Sequence, residues 1–185
     1  MTSAWTGERV RLRAIEPEDW AAFKEFDENS EDQSNGDRLF PPRSAERARQ
    51  WAKELAEKDQ DPDTLRLVIA ERAGGQPVGT VSTHAVDPHH GTFEYGVAVG
   101  RAHQRHGYAA EAVVILLRYM FGERRYQKCD ATVYASNAGS LALHRHLGFT
   151  EEGRRRRGRF HQGRYDDIVL FGITAEEFGE RHGLG

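Results

Sequence analysis

The segment Glu8–Ala14 alternates apolar and polar residues, with Val10, Leu12 and Ala14 on one side, and so predicts a first strand. Glu16-Pro17-Glu18-Asp19 then opens a helix: proline suits the first turn, and early acids complement the helix dipole. Trp20, Phe23 and Phe26 give that helix one apolar face. After the polar stretch Asn29–Asp37, Ser44 is placed to cap a second helix carrying Ala48, Trp51 and Leu55 at helical spacing. Leu65–Glu71 and Pro77–Val86 read as a hairpin turning on Ala73-Gly74-Gly75-Gln76, and Asp87-Pro88 precedes a further strand, Thr92–Val99.

The next periodic run places Ala109, Ala112, Val113, Leu116, Leu117 and Met120 on one helix face, ending near Phe121. Lys128–Tyr134 reads as a strand and Asn137–Leu147 as a short helix. Phe149–Arg157 and Tyr165–Ile173 form a closing hairpin around Gly163. The order β-α-α-β-β-β-α-β-α-β-β contains one strand-helix-strand crossover flanked by hairpins. It predicts an α/β fold in one domain, residues 1–185: a mixed, mostly antiparallel sheet of about seven strands with helices on both faces.

Composition narrows the function classes. A chain of 185 residues with 30% charged and 38% hydrophobic residues suits one solvated domain, and a net charge of −3 names neither nucleic acid nor membrane as partner. The N-terminus has no apolar leader segment, and no run approaches a membrane span, so the expected location is the cytoplasm. The single cysteine, Cys129, excludes an internal disulfide framework; on an alternating strand it is read as a core residue.

The chemistry gathers around Gln104-Arg105-His106-Gly107-Tyr108-Ala109, a loop feeding a helix. A helix N-terminus offers unpaired N–H groups and the positive end of a dipole, so a phosphate is the natural ligand. A glycine before a helix is equally often a simple turn. Neither the Walker loop nor the G-x-G-x-x-G dinucleotide fingerprint is present.

The loop does not stand alone. Strand, Q-x-x-G-x-A, long helix, strand, then Asn137-Ala138-Gly139-Ser140, a short helix and Leu147-Gly148-Phe149 together resemble the GNAT superfamily of acyl-CoA-dependent N-acyltransferases. The opening GERVRLRAIEPEDW and the final hairpin resemble the branch of ribosomal-protein N-terminal and spermidine acetyltransferases.

The resemblance implies that main-chain N–H groups of Gln104, Arg105, His106, Gly107, Tyr108 and Ala109 line the diphosphate of coenzyme A. Gly107 is needed there because a Cβ would block close approach. Relatives often carry a second glycine where Arg105 stands, so this backbone is less free and its side chain is placed for a phosphate contact. The resemblance also implies that Val97 and Val99 hydrogen-bond the pantetheine arm, the Val99 N–H polarising the thioester carbonyl.

Glu94 stands where relatives carry a carboxylate. It is either the base that deprotonates the amine or a solvent-facing strand residue. A lysine-like amine, with a pKa near ~10.4, needs such a base more than an α-amine near ~7.7–8.0. His144 occupies the place where relatives commonly have a tyrosine acid, five residues before Phe149. Either His144 protonates the leaving thiolate, or Tyr134 stands in, or no acid is required; His144 reads equally as a packed helix residue. Asn137 caps the short helix, touches the cofactor, or does both.

The implied reaction moves an acetyl group from acetyl-CoA to a primary amine by direct attack on the thioester. No metal is expected. The implied partners are an amine-bearing small molecule or a protein N-terminus, with a second copy of the chain in a homodimer. Two alternatives stay open: another acyl donor such as succinyl-CoA, and a non-catalytic acyl-CoA sensor. The run Arg154–Arg157 with Arg159 is read as a solvated hairpin rather than a nucleic-acid patch. The acidic stretch Asp27–Asp32 with Asp37 is read as a solvated loop, with a cationic acceptor as the alternative.

Overall fold

Val10 and Leu12 are buried on strand β1, Val10–Arg13, as their alternation requires. The computed structural model describes residues 3–30, 33, 39–59 and 61–184. A 3-10 turn at Pro17–Asp19 leads into helix α1, Trp20–Phe26. Asp19 fixes this entry: its carboxylate accepts the Glu16 N–H at 2.9 Å and forms a two-pronged pair with Arg13 at 2.8 Å. Helix α2, Ala45–Glu57, is capped as expected by Ser44, whose hydroxyl accepts the Arg47 N–H at 3.1 Å.

The remaining elements are β2 (Arg66–Glu71), β3 (Pro77–Asp87), β4 (Thr92–Val99), α3 (Tyr108–Arg118), β5 (Lys128–Tyr134), α4 (Ala138–Leu147), β6 (Thr150–His161), β7 (Arg164–Thr174) and α5 (Ala175–His182). The seven-stranded sheet runs β1-β2-β3-β4-β5-β7-β6, with β4–β5 parallel and the pairs β1–β2, β2–β3, β5–β7 and β6–β7 antiparallel. This is the mixed, mostly antiparallel sheet that the hydrophobic pattern predicts.

Two elements differ from the reading. The helix after the loop leaves α geometry at Arg118 and continues as a π turn, Tyr119–Glu123, which buries Met120 and Phe121. The chain also ends in a helix rather than a strand. Its signal is a capping box: the Thr174 hydroxyl accepts the Glu177 N–H at 3.2 Å, and the Glu177 carboxylate accepts the Thr174 N–H at 2.9 Å. Phe178 seats this helix, fully buried against Phe121.

Internal contacts divide the chain into two compact units, Met1–Thr83 with Gly96–Leu116, and His84–Tyr95 with Leu117–Gly185. In the first, Ile15, Phe23, Ala52, Val68 and Ala70 form a core flanked by Trp20, Phe26, Trp51 and Leu55. The carboxylate of Glu111, in the first turn of α3, accepts the N–H groups of Glu8, Arg9 and Val10 at 2.8, 2.8 and 2.7 Å. It thereby ties the start of β1 to the start of α3.

In the second unit, Phe93 packs on Phe121 and Tyr126, with ring centroids 5.8 and 5.4 Å apart. The Leu147-Gly148-Phe149 motif closes α4: Gly148 has φ +96°, and the Phe149 and Gly148 N–H groups return to the carbonyls of His144 and Arg145.

Strand β6 lies at one end of the sheet and carries the arginine run. Arg154, Arg155, Arg156 and Arg157 are exposed, whereas Arg159 turns in and lies 3.7 Å over the Tyr134 ring. Between the pairs Arg155↔Ile168 and Arg159↔Asp166 the strand bulges, with Arg157 at φ +54° and its N–H held by Asp167 at 2.9 Å. Charge and a bulge both protect a sheet edge from pairing with another chain.

Replacing Glu111 by alanine leaves three main-chain N–H groups without their acceptor. The Glu111→Ala variant is expected to lose about 2–3 kcal/mol of stability, measured by urea denaturation. An unchanged midpoint would show that the clamp carries no stability.

Candidate functional site

After β4 the chain passes Gly100, makes a 3-10 turn at Arg101–His103 and enters α3 through Gln104–Gly107. Two residues of this passage are left-handed: Arg105 at φ +66° and Gly107 at φ +79°. Glycine takes that geometry freely, whereas a residue with a Cβ pays roughly 1–2 kcal/mol. Arg105 therefore holds the backbone conformation that a glycine would hold, at a cost.

Turning twice in this way exposes the backbone donors. Among the described residues, no acceptor receives the N–H groups of Arg105, His106, Gly107, Tyr108 or Ala109; the first engaged is that of Glu111, which meets the Gly107 carbonyl at 3.1 Å. The unsatisfied donors at the positive end of an eleven-residue helix form an anion cradle. Gln104 serves the scaffold instead, its side-chain amide donating to the Val99 carbonyl at 3.2 Å.

Arg9 and Tyr108 flank the cradle. The Arg9 guanidinium donates to the His106 carbonyl at 3.2 Å across 97 residues of sequence. Tyr108 stacks on His106 and donates its hydroxyl to Glu71 at 2.8 Å, which raises the Tyr108 pKa through that bond. A cavity of about 520 Å³ opens here, lined by Arg9, Glu71, Arg72, His106 and Tyr108 among others. Sequence reasoning misses Arg9, because nothing local marks a contact over such a separation.

Strand β4 carries Glu94, Val97 and Val99. Its register with β5 covers Thr92–Glu94 against Lys128–Asp130. Because Glu94 pairs with Asp130 and side chains alternate along a strand, Glu94 shares a sheet face with Asp130, Thr132 and Tyr134. Glu94 is partly exposed, with its carboxylate 3.7 Å from the His84 ring. The opposite face holds Tyr95, Cys129, Ala131 and Val133, all buried. Burial drives the Cys129 thiol well above its ordinary pKa.

His144 packs on that buried face, at 5% exposure. Its ring stacks on Phe171 at 5.4 Å and meets Phe149 edge-on at 5.0 Å. Nδ1 lies 2.8 Å from the Ser140 carbonyl, which can only accept, so Nδ1 carries the proton. Nε2 lies 2.9 Å from the Tyr95 hydroxyl and, in the neutral ring, accepts a hydrogen bond from it. Burial lowers the His144 pKa, against a smaller rise from the Ser140 bond. The structure thus brings Glu94 and Tyr134 to one face and sets His144 on the other, with a partner, Tyr95, that the sequence pattern does not point to. Asn137 is the cap of α4, its side-chain oxygen accepting the Ser140 N–H at 3.0 Å.

Of the acidic stretch, Glu31, Asp32 and Asp37 lie outside the described residues. Glu28 is paired with Lys24 at 2.6 Å and Asp27 with Arg43 at 3.9 Å. They border a cavity of about 550 Å³ whose walls include Phe23, Phe40, Pro42 and Trp51. Burial raises the Asp27 pKa, and Arg43 opposes this.

Comparison with known proteins identifies the family and the fold. A family model described as Acetyltransferase (GNAT) domain matches residues 9–150. The chain is 41% identical over 179 residues to the SPbeta prophage-derived uncharacterized N-acetyltransferase YokL of Bacillus subtilis (strain 168), covering 97% of each. To the putative ribosomal N-acetyltransferase YdaF of the same strain it is 25% identical over 190 residues, covering 98% of this chain and 100% of the relative. Among solved structures, its fold is similar to that of a spermidine N-acetyltransferase from Vibrio cholerae in complex with CoA and spermine. The TM-score is 0.78 at 21% identity, over 93% of this chain and 99% of that one.

The His144 geometry predicts a pH dependence. Because the folded ring has a lowered pKa, its stabilising contribution is complete above the ordinary histidine value of 6.5 and is lost as pH falls below it. Denaturation midpoints at pH 7.5 and 5.5 are expected to differ more for the wild type than for His144→Phe. Nitrogen-15 NMR is expected to show the Nδ1–H tautomer at pH 7; an imidazolium there would refute the assignment.

Proposed function

Because the chain belongs to the GNAT acetyltransferase family, we propose that it carries an acetyl group from acetyl-CoA to a primary amine, by direct attack of that amine on the thioester. The acceptor class is a peptide N-terminus, a polyamine or another small amine. The observation that carries this reading is the cradle of unpaired N–H groups over Arg105–Ala109. It suits a diphosphate: a run of unpaired N–H donors leads into a helix N-terminus, and Gly107 takes its left-handed backbone with no Cβ to press on the Arg9 guanidinium.

Bound acetyl-CoA supplies an activated acyl group. The Arg105–Ala109 donors hold its diphosphate, with the Arg105 side chain adding charge. The main chain of Val97 and Val99 is assigned to the pantetheine arm, and the Val99 N–H to the carbonyl oxygen on which charge develops. Glu94 takes the proton of the amine, directly or through a water.

Proton return to the leaving thiolate is assigned to Tyr134 rather than His144. Tyr134 carries a hydroxyl on the Glu94 face. His144 is neutral, with its one N–H given to Ser140 and its free nitrogen filled by Tyr95. Its part is to position Tyr95 and, through it, β4.

Release of free thiol from acetyl-CoA is expected with at least one amine, peptide or polyamine acceptor. Coenzyme A binding with no thiol release from a broad panel would favour the sensor reading. Gly107→Val forces a branched residue into left-handed backbone and is expected to weaken coenzyme A binding by at least about tenfold; unchanged affinity in calorimetry would refute the cradle. Glu94→Gln and Tyr134→Phe are each expected to lower kcat by about 10²-fold or more. His144→Phe is expected to keep kcat within a few-fold of the wild type while lowering stability. Should His144→Phe alone abolish turnover in a folded protein, the acid role returns to His144.

A further inference from the structure

We propose that Arg9 reads the charge of the bound cofactor, favouring ligands that carry the diphosphate over the same arm without it. The inference rests on the assignment of the Arg105–Ala109 cradle to coenzyme A and goes beyond it, because Arg9 lies outside the loop and belongs to the first strand segment.

Three observations support it. First, Arg9 is set against the cradle itself. One guanidinium nitrogen donates to the His106 carbonyl at 3.2 Å, and a Cβ built on Gly107 would overlap that same nitrogen. The contact turns the His106 carbonyl toward Arg9, leaving the neighbouring N–H groups to face an anion. Second, the main chain of Arg9 is fixed from both sides. Its N–H is held by Glu111 at 2.8 Å, and its carbonyl accepts the Arg72 N–H at 2.8 Å. The guanidinium is therefore delivered to this place by an anchored backbone.

Third, the Arg9 charge is met by no direct ion pair among the described contacts, although Glu71 and Glu111 bring carboxylates to the same helix start. A cation beside the N-terminus of a helix opposes the dipole, and Arg9 bonds there to a neutral carbonyl rather than to a carboxylate. Its charge also acts at the first residue of α3, where it opposes the rise in the Tyr108 pKa. The Arg9 guanidinium and the unpaired N–H donors of Arg105–Ala109 favour the same thing: a ligand group with more than one negative charge. A guanidinium engaged once keeps further donors for an oxyanion.

The test is titration calorimetry on the full chain with coenzyme A and with pantetheine, which lacks the diphosphate and the nucleotide, at low and moderate salt. Arg9→Gln keeps a donor for the His106 carbonyl and removes the charge; Arg9→Lys keeps the charge. Arg9→Gln is expected to weaken coenzyme A binding about tenfold, to leave pantetheine binding unchanged and to flatten the salt dependence. Arg9→Lys is expected to recover most of the affinity, with melting midpoints of both variants near the wild type.

Unchanged coenzyme A affinity in Arg9→Gln would overturn the proposal. So would equal weakening for coenzyme A and pantetheine, which marks a purely structural role. If the wild type binds pantetheine as tightly as coenzyme A, the cradle assignment itself fails, and the Arg9 proposal with it. Inorganic diphosphate, titrated alone, separates the contribution of the diphosphate from that of the nucleotide.

Discussion

One carboxylate gathers three backbone donors, and much of the first unit is organised by that convergence. Glu111 sits a single turn into α3 and accepts from Glu8, Arg9 and Val10 in succession. The bonds satisfy donors at the entry to β1 that have no strand partner there, and they place a negative group in the first turn of α3, where the helix dipole favours it. They also fix where α3 begins relative to β1. The loop before the helix holds two left-handed residues, Arg105 and Gly107, and its N–H groups meet no backbone acceptor among the described residues. The same first turn of α3 therefore carries a structural clamp, a few residues from the loop whose N–H groups have no acceptor among the described residues.

The second unit shows a different economy of polar groups. His144 and Tyr95 are both buried, and each satisfies the other, with Ser140 completing the chain. A buried histidine tied at both nitrogens is a specific, geometry-demanding element. It has the packing of an aromatic residue, lying among Phe149 and Phe171, and it also orients a tyrosine on the strand that carries Glu94. Replacing a tyrosine by histidine at such a place exchanges a hydroxyl at the end of a ring for a ring that bonds at two edges.

Periodicity was enough for most of the fold. Thr92–Val99 and Lys128–Tyr134 were read to the residue, since alternation and flanking turns agree there. The final helix lies beyond the strand-like run Tyr165–Ile173, where the expected order stops; the T-x-x-E box at Thr174 is its available sign. At the site, Gly107 was legible because its position before a helix carries a conformational meaning. Arg105 was legible only as a departure, and its left-handed backbone gives that departure a physical content. Arg9 and Tyr95 were not legible: the first acts on a loop 97 residues away, the second through a partner on another element. Such pairings are created by packing and leave no local pattern.

The lone cysteine has a practical consequence. Cys129 is fully buried and its thiol is held well above its ordinary pKa by burial, so the native chain offers no thiolate to a disulfide reagent. A colorimetric reading of liberated cofactor sulfur therefore starts from a silent protein background. Conversely, once the chain opens, one thiol per molecule becomes available, and its labelling rate in the resting protein reports how often the centre of the sheet is exposed to solvent.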